Sequence, residues 1–134
     1  MRSEAGRIIN ISSSSYWTPP PPFVSYVSAK GALNGFTSAL SASLGPHGIT
    51  ANAIDPGPAD TELYRQAMAR LSQTDYAQGS TLEEHRAESA SHVPLKRLAS
   101  TEDIAQLYLF LASDASDFIT GATIAVDGGV WMPA

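Results

Sequence analysis

Three short apolar runs, each closed by turn-forming residues and separated by segments of helical period, leave this chain few ways to fold. Arg7-Ile8-Ile9-Asn10-Ile11 is rich in β-branched residues and follows Gly6. It reads as a buried strand. Ile49 to Ile54 reads as a second strand, stopped by Asp55-Pro56-Gly57-Pro58, and Ala122 to Val126 as a third, ending at Asp127-Gly128-Gly129. Between the first two, Leu33, Phe36, Leu40 and Leu44 recur at helical spacing. That predicts a helix from about Ser25, with Gly45 in the left-handed C′ position and Pro46 blocking continuation. The stretch from about Asp60 to Ala90 is more polar and holds one or two short helices. Ser100-Thr101-Glu102-Asp103 has the form of a capping box with Asp in place of Glu, and it leads into an amphipathic helix through Ile104, Leu107, Tyr108 and Leu111. Strands separated by helices imply right-handed crossovers and a parallel sheet, so the fold class is α/β.

Composition narrows the function classes. The chain has 134 residues, which suits one domain over 1–134, and its 43% hydrophobic content is enough for a packed core. A net charge of −5 with scattered Lys and Arg argues against a nucleic-acid partner, which needs a basic patch. There is no cysteine, which removes disulfides, thiol chemistry and Cys-based zinc sites. The three histidines, His47, His85 and His92, have no ligand partners at metal spacing and read as exposed or structural. Met1-Arg2-Ser3-Glu4 is polar, and the apolar run Leu107 to Ala112 is too short to span a bilayer. The expectation is a cytoplasmic protein without a membrane partner.

The chemistry lies between the first strand and the helix. Tyr26 and Lys30 are four residues apart, so on a helix they share one face. Leu33, Leu40 and Leu44 fall on that same face, which makes the pair the N-terminal end of the stripe that packs on the sheet. Ser13 follows the first strand directly. In a parallel α/β sheet ligands bind outside the carboxyl ends of the strands, so Ser13 and Tyr26 converge on one place. A phenol is a weak base at neutral pH, and a neighbouring ammonium favours its ionised form. Tyr26 is then suited to take a proton from an alcohol or give one to a developing alkoxide, with Ser13 holding the substrate oxygen. Between them, Pro19-Pro20-Pro21-Pro22 cannot enter a helix interior or an inner strand. That tract is a stiff surface loop or a rigid wall beside a pocket.

The set of motifs resembles the C-terminal half of the short-chain dehydrogenases/reductases. The matching segments are Gly6 to Ser13, Tyr26 to Lys30, Gly48 to Gly57, Pro94 to Leu98 with Glu102 to Ala105, Phe110 to Asp114, Ile119 to Gly121 and Val126 to Gly129. They cover nearly the whole chain. The resemblance implies half of a doubly wound, Rossmann-like sheet and reversible hydride transfer between NAD or NADP and a small-molecule carbonyl or secondary alcohol, as in 3-oxoacyl reductases. It implies that Tyr26 is the acid/base, that Ser13 orients the substrate, and that Lys30 tunes the tyrosine and holds the nicotinamide ribose. It also implies that Pro56 and Gly57 form the turn beneath the nicotinamide, with the Ala59 backbone and Thr61 contacting the cofactor. Pro58 departs mildly from the pattern because it lacks an N–H. Residues 60–92 resemble the mobile substrate lid, where Leu63, Met68 and Leu71 line either a pocket or a helix core. Gly31 and Gly35 read as close helix packing.

No cluster of glycines precedes a helix here, so the loop that would cradle a dinucleotide pyrophosphate is missing from this sequence. By the resemblance, that grip and the residue selecting NAD or NADP lie upstream, and Met1 falls where the preceding helix would end. The expectation is therefore a partial domain that forms a homo-oligomer. The alternative is a non-catalytic fragment that acts only in self- or partner association.

Overall fold

The computed structural model describes residues 6–17 and 19–131. The expectation that Met1 ends a preceding helix falls outside them. The elements are β1 (Arg7–Ile11), α1 (Val24–Leu44), β2 (Thr50–Pro56), α2 (Glu62–Leu71), α3 (Leu82–His92), α4 (Thr101–Ala112) and β3 (Thr123–Val126). The three strands form one parallel sheet in the order β1-β2-β3, as strands joined through helices require. Ile9 stands opposite Asn52, and Ile54 opposite Ile124.

β2 is the central strand and is buried from Thr50 to Asp55. Its alternating side chains separate the two faces. Asp55 reaches α1, where it accepts a hydrogen bond from Asn34. Asn10, paired with Ala53 in register, reaches Thr37 of α1 at 2.9 Å. Asn52 points the other way and donates to the Ile119 carbonyl beyond α4, and α4 packs against all three strands. One helix on each face is the doubly wound layering that the sequence implied.

Two details of α1 differ from the sequence expectation. The row pressed on the sheet is polar: Lys30, Asn34 and Thr37, with Thr37 1% exposed. The leucines at 33, 40 and 44 are half-buried flanks, and Phe36 is exposed. The alanines of β2 at 51 and 53 are fully buried on the α1 face; such small residues let the helix approach closely, and short polar chains bonded to strand groups fill the seam. The second difference is at the helix end. Gly45 stays right-handed (φ −53°) and starts a 3-10 turn with Pro46, which needs no N–H so early in a turn. The left-handed residue is Gly48, at φ 71°.

The polar segment resolves into two helices, α2 and α3, locked by side chains. The Tyr64 hydroxyl donates to the His85 carbonyl at 3.0 Å, and His85 Nε2 meets Ser72 Oγ at 3.0 Å. Both arms of the Ser100–Asp103 capping box form, at 3.2 and 2.8 Å. A second box, Thr81 with Glu84, opens α3.

Candidate active site

β1 delivers its carboxyl end beside the first turns of α1, and three bonds fix the corner. The Ser12 N–H donates to the Ile54 carbonyl at 2.8 Å, which extends the sheet ladder one residue past β1. The Ser12 hydroxyl donates to the Lys30 carbonyl at 2.9 Å, and Lys30 Nζ donates to the Ile11 carbonyl at 2.7 Å. The same ammonium lies 5.7 Å from the centre of the Tyr26 ring, within cation–π range. The spacing therefore does bring Tyr26 and Lys30 together at the strand end.

Tyr26 is 38% exposed, and among the described residues its hydroxyl has no protein partner. Ser13 is buried, with its hydroxyl 2.8 Å from that of Ser15 and accepting from the Ser15 N–H at 3.2 Å. It caps the 3-10 turn Ser14–Tyr16. Among the described residues the Ser13 and Tyr26 hydroxyls are not bonded to each other. The corner presents one free phenol, one ammonium already tied to a carbonyl, and one hydroxyl held in a cap.

The turn after β2 is built for close approach. The Gly57 N–H donates to the Val126 carbonyl at 3.0 Å, and a Cβ at Gly57 would stand 2.7 Å from the Asp127 backbone. Only glycine lets the ends of β2 and β3 meet there. Ala59 forms a parallel bridge with Ala99, made by the Asp60 N–H and the Pro58 carbonyl. A parallel bridge uses the groups flanking its central residue, so the N–H of Ala59 itself faces away from that bridge. Pro58 contributes only its carbonyl, and its missing N–H costs nothing here. Thr61 caps α2, accepting from the Tyr64 N–H at 3.2 Å. For the nicotinamide end of a dinucleotide this donor set fits: a main-chain N–H at Ala59, the Thr61 hydroxyl and the Lys30 ammonium.

Asp60 anchors the base of the α2–α3 unit. It accepts two bonds from Arg86, at 2.8 and 2.7 Å, and one from Arg65 at 3.1 Å. These guanidinium bonds lower its carboxyl pKa. Within the unit Leu71 is buried, Met68 half-buried and Leu63 exposed. His85 is buried and structural, while His47 and His92 are exposed. Among the described residues no group of acidic or histidine side chains is placed to hold a metal, and no helix is long and apolar enough to cross a membrane.

The structure adds residues that the motif reading passed over. Asp55 is fully buried at the end of β2, where its Oδ2 accepts from Trp17 Nε1 and from Asn34 Nδ2, both at 3.1 Å. Burial pushes its carboxyl above the ordinary range, and these hydrogen bonds oppose that shift without cancelling it. Trp17 stacks on Trp131, with ring centres 4.2 Å apart and planes at 17°. In sequence Asp55 looks like the stop of a strand. The available signal was parity: Asp55 continues the buried face of Ala51 and Ala53. For Trp131, far along the chain, no local pattern announced the contact.

The comparisons agree with this architecture. The family model described as Enoyl-(Acyl carrier protein) reductase matches residues 1–131. The chain is 42% identical over 125 residues to the short chain dehydrogenase/reductase astE of Aspergillus oryzae, covering 93% of this chain and 44% of that protein. It is 38% identical over 127 residues to the 3-oxoacyl-[acyl-carrier-protein] reductase FabG of Pseudomonas aeruginosa, covering 95% and 46%. Among solved structures, a short chain dehydrogenase family protein from Francisella tularensis superimposes with a TM-score of 0.84 at 32% identity, covering 92% of this chain and 50% of that one. An actinorhodin polyketide ketoreductase variant with NADPH gives 0.84 at 27% identity, covering 94% and 47%. The chain belongs to the short-chain dehydrogenase/reductase family. It spans about half the length of the curated relatives it matches.

Proposed function

We propose that this chain is the catalytic half of an NAD(P)-dependent oxidoreductase that interconverts a carbonyl compound and a secondary alcohol. The observation that carries this reading is the Lys30 ammonium, held between the Tyr26 ring at 5.7 Å and the Ile11 carbonyl at 2.7 Å at the mouth of the sheet. In the oxidative direction the Tyr26 oxygen takes the hydroxyl proton of the substrate. The adjacent ammonium places a positive charge beside the ring during that transfer. Ser13 exchanges its contact with Ser15 for one to the substrate oxygen, which orients the reacting carbon. The nicotinamide, when bound, supplies or accepts the hydride. Lys30, the Pro56-Gly57 turn, the Ala59 N–H and Thr61 hold that end. A grip on the pyrophosphate requires a glycine-rich strand–turn–helix unit, which the described residues do not contain. A reductase acting on a 3-oxoacyl-like substrate is the form this takes by analogy with FabG, and a cytoplasmic homo-oligomer belongs to the same reading.

The test is Tyr26→Phe in a protein in which the chain is joined to such a unit. Removing the transferable proton should lower kcat by about 10²–10⁴-fold, the usual contribution of general acid–base catalysis, with NADPH affinity little changed. Turnover close to wild type would remove Tyr26 from the mechanism.

A second reading has its own observation. Phe36, Leu109 and Tyr108 are well exposed, and among the described residues β1 pairs along one side only. An unpaired apolar strand is a template for another chain, which suits a fragment that acts by association. Light scattering tests this reading: a monomer with one sharp thermal transition would sink it.

A further inference from the structure

Two buried aspartates, at the ends of neighbouring strands, each hold one of the two tryptophans of the chain. Asp55 Oδ2 accepts from the Trp17 indole N–H at 3.1 Å. Asp127, the residue after β3, accepts from the Gly129 and Trp131 N–H groups, both at 2.9 Å. The indoles thus brought together stack at 4.2 Å, and Tyr16 meets Trp17 edge-on at 4.9 Å. A Cβ at Gly31 would stand 2.7 Å from the Tyr16 ring, so that ring lies on α1 beside Lys30. The aromatic cluster therefore sits over the carboxyl ends of all three strands, on the loop that begins with Ser13.

The carboxyl group of Asp55 is an expensive way to fill that space. It is 0% exposed, and among the described residues neither its Oδ1 nor Asn34 Oδ1 beside it has a hydrogen-bond partner. An unpaired buried acceptor costs stability, and an apolar residue of similar size would not incur that cost. What an apolar residue would not do is hold the indole N–H. Trp17 as a residue is still 38% exposed after stacking.

We propose that Asp55 is a positioning residue that locks Trp17 against Trp131, and that the locked pair forms the wall of the substrate site that selects carbonyl compounds carrying a flat apolar ring. This rests on the reductase reading for its location and deepens it by naming a substrate class. A rigid indole surface offers stacking to a planar ring, while a short aliphatic ketone gains little from it. Tyr16 closes the edge of the wall next to the reacting groups.

The test uses the chain's own two tryptophans as reporters. Far-ultraviolet circular dichroism, in the region of the intense indole B band, should give an exciton couplet from the stacked pair. Asp55→Asn keeps an oxygen that accepts from the indole and should retain the couplet; Asp55→Leu should lose it. Quenching of tryptophan emission by tetralone, a flat aromatic ketone, should saturate at a concentration about tenfold below that for butanone, the scale of one aromatic stacking contact. Asp55→Leu and Trp17→Leu should both abolish that preference, and Asp55→Asn should restore it. If Asp55→Leu does not fold, Trp17→Leu, which leaves the buried carboxyl in place, decides the point. The proposal is overturned by a missing couplet in the wild-type chain, by equal affinity for the two ketones, or by a preference that survives Trp17→Leu. Saturable tetralone binding without NAD(P)H-dependent reduction, in a protein that joins the chain to a dinucleotide-binding unit, would instead sink the reductase reading and leave the wall as a binding site. Reduction of both ketones without preference would sink the wall alone.

Discussion

The corner at the carboxyl ends of the strands and the outer flank of the same helices are built by opposite rules. In the corner, bonds tie the elements together one by one: Ser12 bonds to β2 and α1, Lys30 to β1, and Asp127 to the turn it precedes, while Asp55 Oδ1, Asn34 Oδ1 and the Tyr26 hydroxyl have no partner among the described residues. On the flank, apolar side chains meet solvent: Phe36 is 56% exposed on α1, and Leu109 is 61% exposed on α4. The corner is organised at the level of single hydrogen bonds. The flank is not finished at the level of burial. If the proposed roles of Tyr26 and Lys30 hold, chemistry and stability should be separable, because neither residue is part of the buried core. The core itself is small and lies under β2, in Ala51, Ala53, Ile54 and Leu111.

The largest effect that would break this separation is on turnover. Tyr26→Phe removes only an oxygen that has no partner among the described residues, so the melting temperature should stay close to wild type while kcat falls by about 10²–10⁴-fold. A large loss of stability in this variant would mean that the corner and the core are one unit. Leu111→Ala makes the converse test. Leu111 is fully buried on α4, and truncating a buried leucine costs about 2–5 kcal/mol. Denaturant unfolding should show that loss even though the Tyr26–Lys30 geometry is untouched.

The same division explains what the sequence made legible. β1 was readable residue for residue because a β-branched run acts locally, and the helices between 60 and 92 resolved into two; β2 instead runs from Thr50 through Asp55 and Pro56, the pair that read as its stop. The Tyr26–Lys30 pairing was readable because helical spacing alone determines it. The centre of the α1 seam was not, because it depends on the small size of Ala51 and Ala53 across the interface. Gly45 was misjudged because Pro46 tolerates a 3-10 turn, which moved the left-handed residue to Gly48. The Asp55–Trp17–Trp131 cluster joins residues from three strand ends, and no window along the chain contains it.

A smaller effect sharpens the contrast through pH. The buried carboxyl of Asp55 has its pKa raised from 3.8, chiefly by desolvation. The folded state then holds this proton more tightly than the unfolded state, so stability falls as pH rises from 3.8 through the folded value and stays lower above it. Asp103 has the opposite sign. Its bonds with Arg97 and Ser100 depress its pKa, so its contribution is present above 3.8 and is lost as pH falls toward the folded value. Asp55→Asn should abolish the first dependence and keep the second. Chemical denaturation from about pH 3 to about pH 8 covers the window above the ordinary carboxyl pKa. An unchanged pH profile in Asp55→Asn would show that the carboxyl does not titrate in the folded state as its burial requires.

The smallest effect compares two glycines one turn apart on α1. The sequence assigned both Gly31 and Gly35 to close packing. The structure separates them: a Cβ at Gly31 would stand 2.7 Å from the Tyr16 ring, whereas nothing lies within 4 Å of one at Gly35. Gly35 thus belongs to the unfinished flank, and its lack of a side chain only raises the entropy lost on folding. Gly35→Ala should stabilise the chain by about 0.5–1 kcal/mol, the difference between the two residues inside a helix. Gly31→Ala gains the same helix propensity but must displace Tyr16 and with it the edge of the aromatic cluster. Overpacking typically costs about 1–3 kcal/mol, so the net change should be destabilising, and the near-ultraviolet signal of the stacked indoles should weaken. Thermal melts of the two variants side by side decide the matter. If both alanines stabilise, Tyr16 moves aside freely, and the corner is looser than its hydrogen bonds imply.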